Sequence, residues 1–329
     1  MARAGFLLWV ALLAFGLPEV IAGTGAGWLT RPDVYILGIP LYALHFLLLC
    51  HFAIKTKRTS WPALYVLGII FGLYETWITK VVWAGYLEVD GFAFGGFGPW
   101  FGVHETLGLI LFYHAVVSFL LPLAAASRLF PAFGAAFPVP DWVFGASFWA
   151  LLRRALLALL LGLISGHNMP DPSVYLVSWV PMILLLVAGY FLLRNRANAR
   201  PTLGKIGLWV AFIWLLVIYV GSYTLLRTEA IPPVFALAIT ALFYVLLALV
   251  FWAVPARGPR PTTPTENRAK MPLVWLLVVF VIGLVTSVGI SAGVGVVAGV
   301  AVMPFLLMMP LGAGLFLWLV IWRGLIRRR

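Results

Sequence analysis

The sequence has little charge and almost no cysteine. Only 10% of its 329 residues are charged, and Cys50 is the single cysteine. One cysteine excludes a disulfide framework and a cysteine-based metal centre. No G-x-x-x-x-G-K-[ST] motif occurs and no loop is long enough to hold a nucleotide-binding domain, so a phosphate-binding loop of that kind is excluded as well.

The sequence consists mainly of long hydrophobic segments. Hydrophobic residues make up 64% of the chain, and the mean hydropathy is +1.07. Apolar runs of about 18 residues or more recur along the whole length, which is typical of helices that satisfy their own backbone hydrogen bonds in lipid. We predict an all-α polytopic membrane protein with about ten transmembrane helices. The predicted spans are residues 5–24, 33–54, 62–85, 103–126, 150–168, 174–193, 206–226, 232–254, 273–294 and 303–322.

The positions of the basic residues predict the orientation. With ten spans and both termini in the cytoplasm, 19 of the 22 Lys and Arg residues fall on the cytoplasmic side of the cell membrane. Only Arg31, Lys80 and Arg227 fall on the outer half. Such an excess of cytoplasmic Lys and Arg is the usual signature of membrane topology, so the net charge of +12 indicates orientation rather than a nucleic-acid partner.

Two connections divide the chain. Residues 129–149 are rich in aromatic residues and proline, and we predict an interfacial segment at the headgroups. Residues 255–272 form a basic linker rich in Pro and Thr. We therefore predict an eight-helix body over residues 1–254 and a Gly-rich transmembrane hairpin with a basic tail over residues 273–329.

The hairpin carries two pairs of glycines at a spacing of four residues. The pairs are Gly289 with Gly293, and Gly295 with Gly299. Small residues at this spacing let helix backbones approach closely. We expect them to pack helices within the chain, or to contact a second copy or a partner subunit.

Three ionisable side chains on consecutive spans fall at the same predicted depth. At about 1.5 Å per helical residue, Glu75, His45 and His114 each lie roughly 14–18 Å from the outer end of their span, which is close to half of a hydrocarbon core of about 30 Å. Ionisable residues at this depth usually face the bundle interior and mark a pathway or a site. We predict an inner set of Glu75, His45 and His114 that binds a proton, an ion or a small solute.

Other ionisable residues lie nearer the outer surface. Glu19, His104 and Glu105 are predicted to form an outer vestibule. Glu105 and His114 are nine residues apart, which places them on opposite sides of an α-helix. Lys80 is expected to extend to the outer headgroups.

Three functions fit this pattern. We predict a secondary transporter, coupled to protons or cations, whose midplane carboxylate and histidine site opens to the outer side. Ten spans with both termini inside are similar to the drug/metabolite transporters of the ten-helix type, a resemblance carried by topology. An alternative is a membrane subunit of an oxidoreductase or an intramembrane metalloenzyme, in which His45, Glu75 and His114 hold haem, a divalent metal or a quinone headgroup. A second alternative is a structural or assembly subunit of a membrane complex.

Overall fold

The computed structural model describes residues 2–85, 102–137, 147–194, 202–256 and 271–326, and every regular element within these ranges is a helix. The ten principal helices are α1 (Ala4–Val20), α2 (Val34–Lys55), α3 (Trp61–Thr79), α4 (Glu105–Leu129), α5 (Phe148–Asn168), α6 (Pro172–Leu193), α7 (Lys205–Leu225), α8 (Val234–Ala253), α9 (Met271–Ser291) and α10 (Gly295–Ile326). Short helices over Val81–Ala84 and Pro131–Ala136 follow α3 and α4.

The helices have the dimensions of membrane spans. Among the described residues, 9 helices are long and apolar enough to cross a bilayer, and α1 is a shorter apolar helix. The predicted fold class, an all-α polytopic membrane protein with about ten transmembrane helices, is confirmed. Which side of the membrane holds the termini stays a prediction.

Two predicted span boundaries were wrong. Span 3 was expected to run to residue 85, but α3 ends at Thr79 because Lys80 adopts a left-handed conformation with a φ of 58°. The last span was expected to begin at residue 303, but α10 begins at Gly295. The turn before it is made at Gly293, whose φ of 74° suits glycine, so the hairpin connection is much shorter than predicted.

The two predicted connections lie partly outside the described residues. In the aromatic segment 129–149, Pro131–Ala136 forms a short helix and α5 begins at Phe148. Residues 138–146 and 257–270 are outside the described ranges. The interfacial segment and the basic linker therefore stay predictions.

The chain divides into two compact units. The first unit comprises Met1–Ala43, Leu121–Pro201 and Pro259–Phe305, and the second comprises the remaining three segments. The boundaries fall inside α2, α4 and α10, so each of these helices contributes to both units. The two helices of the predicted terminal hairpin are divided between the units, because α9 packs against α5 in the first and the end of α10 packs against α3 in the second.

The first unit is centred on the contact between α5 and α9. Two glycines of α5, Gly162 and Gly166, face α9, where an added Cβ at Gly166 would lie 2.4 Å from the carbonyl oxygen of Gly283. A hydroxyl group also lies at this contact, where the Ser287 Oγ donates to the carbonyl of Met169 at 2.7 Å. Small residues with satisfied hydroxyls are the usual means of close helix packing in a membrane.

The second unit is centred on the contact between α3 and α4. Gly68 and Gly72 of α3 have the same spacing as the α5 glycines. An added Cβ at Gly68 would lie 2.7 Å from the carbonyl oxygen of Ala115, and one at Gly72 would lie 2.9 Å from the Cβ of His114. The backbones of α3 and α4 are therefore in close contact beside His114.

The hairpin glycines act differently from the pairs that close these contacts. Gly289 packs within the chain, since an added Cβ would lie 2.9 Å from Val297. Gly293 serves the turn rather than helix packing. Added Cβ atoms at Gly295 and Gly299 would meet no described atom within 4 Å. A contact of these two residues with a second copy or a partner subunit stays a prediction.

Candidate functional site

Glu75 and His114 come together where α3 packs on α4. Gly72 and Glu75 are three residues apart, so they share a face of α3. Because Gly72 lets α4 approach at His114, the carboxylate of Glu75 reaches the same imidazole from the next turn. The Glu75 Oε2 lies 2.9 Å from the His114 Nε2, within hydrogen-bonding distance.

The Glu75–His114 pair is shielded from the surface. The side chain of His114 is 4% exposed and that of Glu75 is 15% exposed. On the other side of the ring, the His114 Nδ1 lies 3.1 Å from the Ser118 Oγ. Both ring nitrogens of His114 are therefore engaged, and the imidazole is held in one orientation.

His45 lies beside this pair on an aromatic face. Its ring centroid is 4.4 Å from that of Tyr74 and 4.8 Å from that of Phe71. The Phe71 ring also contacts His114, at 5.9 Å between centroids, so Phe71 touches both imidazoles. The structure thus places Glu75 against His114 and places His45 among aromatic rings. A binding role for the three residues stays a prediction.

An aromatic cluster, which the sequence analysis missed, extends from Tyr74 across α3, α7 and α8. Tyr219 stacks on Tyr74 at 5.1 Å and on Trp77 at 5.5 Å between ring centroids. Tyr223 and Tyr244 also contact Trp77, at 5.5 and 6.5 Å. We call these five rings the aromatic cluster, and one of them, Tyr74, immediately precedes Glu75 in the chain. Their spacing, with Tyr74 and Trp77 three residues apart and Tyr219 and Tyr223 four apart, is the sequence signal that was available.

Several polar atoms in and around the aromatic cluster are buried without a hydrogen-bond partner among the described residues. They are the Trp77 Nε1, the Trp83 Nε1, the Tyr244 hydroxyl and the His45 Nδ1. A buried donor without a partner costs about 1–3 kcal/mol. Such a concentration of them indicates a place where a polar group from outside the chain can be bound.

Comparison with known proteins places the chain in a family. Residues 7–328 match a family described as an uncharacterized membrane protein family. The chain belongs to this family. The chain is similar to an uncharacterized protein of Archaeoglobus fulgidus. The two sequences are 27% identical over 274 residues, which cover 81% of this chain and 82% of that protein. No solved structure matches the chain.

Two basic residues of the second unit bond to carbonyl groups at the C-terminal ends of α3 and α7. Lys80 is fully buried, and its Nζ donates to the carbonyl of Leu226 at the end of α7. The expectation that Lys80 reaches the headgroups was therefore wrong. Arg227 donates through one nitrogen to the carbonyls of Thr79 at 3.1 Å and Gly85 at 2.8 Å. Cations at helix C-termini satisfy the last carbonyls and oppose the negative end of the helix dipole.

The predicted outer vestibule is divided between the units. Glu19 belongs to the first unit, where its Oε2 accepts a hydrogen bond from the Thr24 hydroxyl at 2.7 Å. His104 and Glu105 are buried in the second unit. The vestibule stays a prediction.

The winding of α4 removes one argument made from the sequence. Glu105–Leu120 is π-helical, so each turn takes more residues than the 3.6 of an α-helix. The inference that Glu105 and His114 face opposite sides assumed an α-helix, and it does not apply to this segment.

The residues proposed as ligands for a metal or haem fit such a group poorly. Within the part of the chain that the structure describes, no group of three or more His, Cys, Asp and Glu residues could hold a metal ion. Both nitrogens of His114 already have protein partners, so neither nitrogen is directed at an open position. The geometry supports a carboxylate–imidazole pair better than a metal centre.

Proposed function

We propose that the protein is a proton-coupled secondary transporter in which Glu75 and His114 form the proton-binding pair. The observation that carries this proposal is the 2.9 Å contact between the Glu75 Oε2 and the His114 Nε2, inside two candidate membrane spans. Acid–base pairs buried in membrane helices are costly, and they occur chiefly where a proton, an ion or a substrate passes.

The charge of the pair explains how it would couple two solutes. A carboxyl and an imidazole that share one proton carry no net charge. Addition of a second proton leaves one positive charge, and removal of the first leaves one negative charge. Because an uncompensated charge is expensive in a low-dielectric interior, the site favours exchange of one proton for one small cation. Coupling would then follow from the requirement that the site stay close to neutral.

The aromatic cluster would supply the wall of the substrate site. Tyr74 flanks Glu75 in the chain, and Tyr219 and Trp77 continue the same surface. Aromatic faces attract cations by about 0.5–2 kcal/mol each, depending on solvation. The unpartnered groups of Trp77 and Tyr244 would donate hydrogen bonds to acceptor atoms of a solute.

Charge movement driven by a pH jump tests the proposal without knowledge of the substrate. Protein in liposomes adsorbed on a solid-supported electrode should give a transient current when the external pH is stepped. Glu75→Gln keeps the shape of the side chain and removes its ionisation, so the current should be lost. Glu229→Gln is the matched control, because Glu229 lies in the same unit with a 66% exposed side chain. An unchanged current in Glu75→Gln, or no current in the wild type, would refute the proposal.

We also propose that both termini lie in the cytoplasm. The positive-inside distribution supports this, and the bonds of Lys80 and Arg227 to helix carbonyls explain why two basic residues occupy the other side. In a Cys50→Ser background, Glu229→Cys should react with an impermeant maleimide in intact cells. Lys55→Cys should react only after lysis, and the opposite pattern would reverse the topology.

A membrane oxidoreductase subunit that binds a quinone is a second candidate. The buried donors of Trp77 and Tyr244 beside aromatic faces suit a flat ring that carries carbonyl acceptors. Solvent extraction and absorption spectroscopy of the purified protein should then show about one quinone per chain. Protein that is free of quinone yet active in the pH-jump assay would eliminate this candidate.

A further inference from the structure

A narrow apolar cleft lies inside the first unit. Residues from α1, α4, α6 and α9 line it. They are Leu13, Leu17, Leu121, Ala125, Leu129, Leu186, Pro272, Leu273, Trp275 and Leu276. A lining without a single polar residue suits a hydrocarbon chain and does not suit water.

A buried arginine stands at the α9 end of this cleft. Arg154 is 6% exposed, and one of its terminal nitrogens lies 3.1 Å from the Met271 Sδ. Met271 immediately precedes Pro272 of the cleft wall, and the indole of Trp275 donates to the Arg154 carbonyl at 3.0 Å. The guanidinium is thereby fixed next to the first residues of the cleft.

The Met271 sulfur is a poor hydrogen-bond partner for the Arg154 guanidinium. A guanidinium carries five N–H donors, and a thioether sulfur is a weak acceptor. Among the described residues, no carboxylate forms an ion pair with Arg154. A buried cation requires a compensating anion, and planar guanidinium groups bind phosphate oxygens in a bidentate manner.

A second buried arginine precedes the cleft wall in the chain. Arg128 is buried and immediately precedes Leu129, another residue of the cleft wall. In contrast, Arg153 is exposed, although it is the neighbour of Arg154 in α5. Arg154 is therefore buried next to the apolar cleft, whereas Arg153 belongs to the exposed basic surface.

We propose that the first unit binds an anionic phospholipid, with its phosphate on Arg154 and one acyl chain packed against the apolar residues of the cleft. The bilayer supplies this occupant at high local concentration. The anionic headgroup of the lipid complements the Arg154 guanidinium, and its apolar acyl chain complements the adjacent apolar cleft. This inference does not depend on the proposed transport function, since it concerns other residues in the other unit.

Native mass spectrometry with phosphatidylglycerol and phosphatidylcholine tests the proposal. Wild-type protein in mild detergent should retain one phosphatidylglycerol per chain, in preference to phosphatidylcholine, and excess inorganic phosphate should not displace it. Arg154→Gln should lower the affinity by about tenfold or more, in line with the loss of charge-assisted hydrogen bonds. Arg153→Gln is the matched control and should behave like the wild type.

A second variant tests the contact with the acyl chain independently of any folding defect in Arg154→Gln. Ala125→Leu fills the cleft from α4 without altering charge, and it should also lower retention of phosphatidylglycerol. Equal losses in Arg153→Gln and Arg154→Gln would show non-specific attraction to the basic surface and overturn the proposal. Full retention in Ala125→Leu would overturn the placement of the acyl chain, and displacement by inorganic phosphate would show a site for a free anion.

Discussion

The same feature allows close packing at the α5–α9 contact of the first unit and at the α3–α4 contact of the second. In each, two glycines spaced four residues apart allow the backbones to approach until an added Cβ would clash with the facing helix. They differ in the polar groups that they enclose. The first contact encloses hydroxyls bonded to nearby backbone or to an indole, whereas the second encloses the Glu75–His114 pair.

This difference separates packing from function. Hydroxyl groups such as those of Ser165 and Ser287 are satisfied within the protein and carry no charge, which is enough to hold two helices together in lipid. The second unit achieves the same closeness with its glycines, so it has no need of an ionisable pair for packing. An ionisable pair at a contact that does not need it for packing supports the proposal that the pair binds protons.

The largest effect is expected from a side chain placed between α5 and α9. Gly166→Leu would set a Cβ 2.4 Å from the Gly283 oxygen and 2.5 Å from the Thr286 Cβ, so the helices must separate. We expect almost no monodisperse protein by size-exclusion chromatography. Gly299→Leu is the control, because that glycine faces no described atom within 4 Å, and its yield should match the wild type. Equal yields from both variants would mean that the first unit is not held together at Gly166.

The next effect separates the two contacts by function. Glu75→Gln should abolish pH-driven charge movement, whereas Ser165→Ala should preserve it. Glu75→Gln replaces the carboxyl partner of His114 with an amide, and Ser165→Ala removes the acceptor of the Trp179 indole, so each should cost about 1–2 kcal/mol of unfolding free energy. Denaturation in detergent gives the stability, and the pH-jump current gives the activity. Loss of current in Ser165→Ala would erase the distinction between the contacts.

The smallest effect concerns two basic residues, one in each unit. Arg31 is exposed beside Asp33 in the first unit, whereas Lys80 is buried in the second. Burial lowers the pKa of Lys80 from its ordinary value of 10.5. The unfolded chain therefore binds this proton more tightly, and the free energy of unfolding should rise with pH over the interval that ends near 10.5. Lys80→Met should flatten this rise and cost about 1 kcal/mol through loss of the bond to Leu226.

Denaturation at a series of pH values measures this slope. Lys55→Met, at an exposed lysine of α2, is the control and should leave the slope unchanged. A slope that is identical in the wild type and Lys80→Met would show that the buried amine does not contribute to the pH dependence.

The sequence was sufficient for the helices and for the matched levels of Glu75 and His114 along neighbouring helices. Helical rise alone placed Glu75 and His114 at the same level, and their carboxylate and imidazole are in contact in the structure. The sequence analysis chose Gly289 and Gly299 as packing glycines and overlooked Gly72 and Gly166. All four have the same local spacing, and only the identity of the facing helix distinguishes a packing glycine from an open one.

The meeting of rings from three helices in the aromatic cluster could not be predicted, for a similar reason. Tyr219 and Tyr244 come from α7 and α8, and no local pattern shows that these helices pack against Trp77 of α3. The burial of Lys80 likewise depends on a carbonyl 146 positions later in the chain. Contacts between distant helices are set by packing of the whole unit rather than by the periodicity of any one helix.

Infrared difference spectroscopy tests the role of Glu75 most directly, because it detects protonation of a single carboxyl group in membrane-embedded protein. A pH step should produce a carboxyl C=O band in the wild type. This band should be absent in Glu75→Gln, displaced in His114→Gln, and unchanged in Glu229→Gln. A Glu75→Gln spectrum identical to that of the wild type would contradict the account, since Glu75 would then exchange no proton.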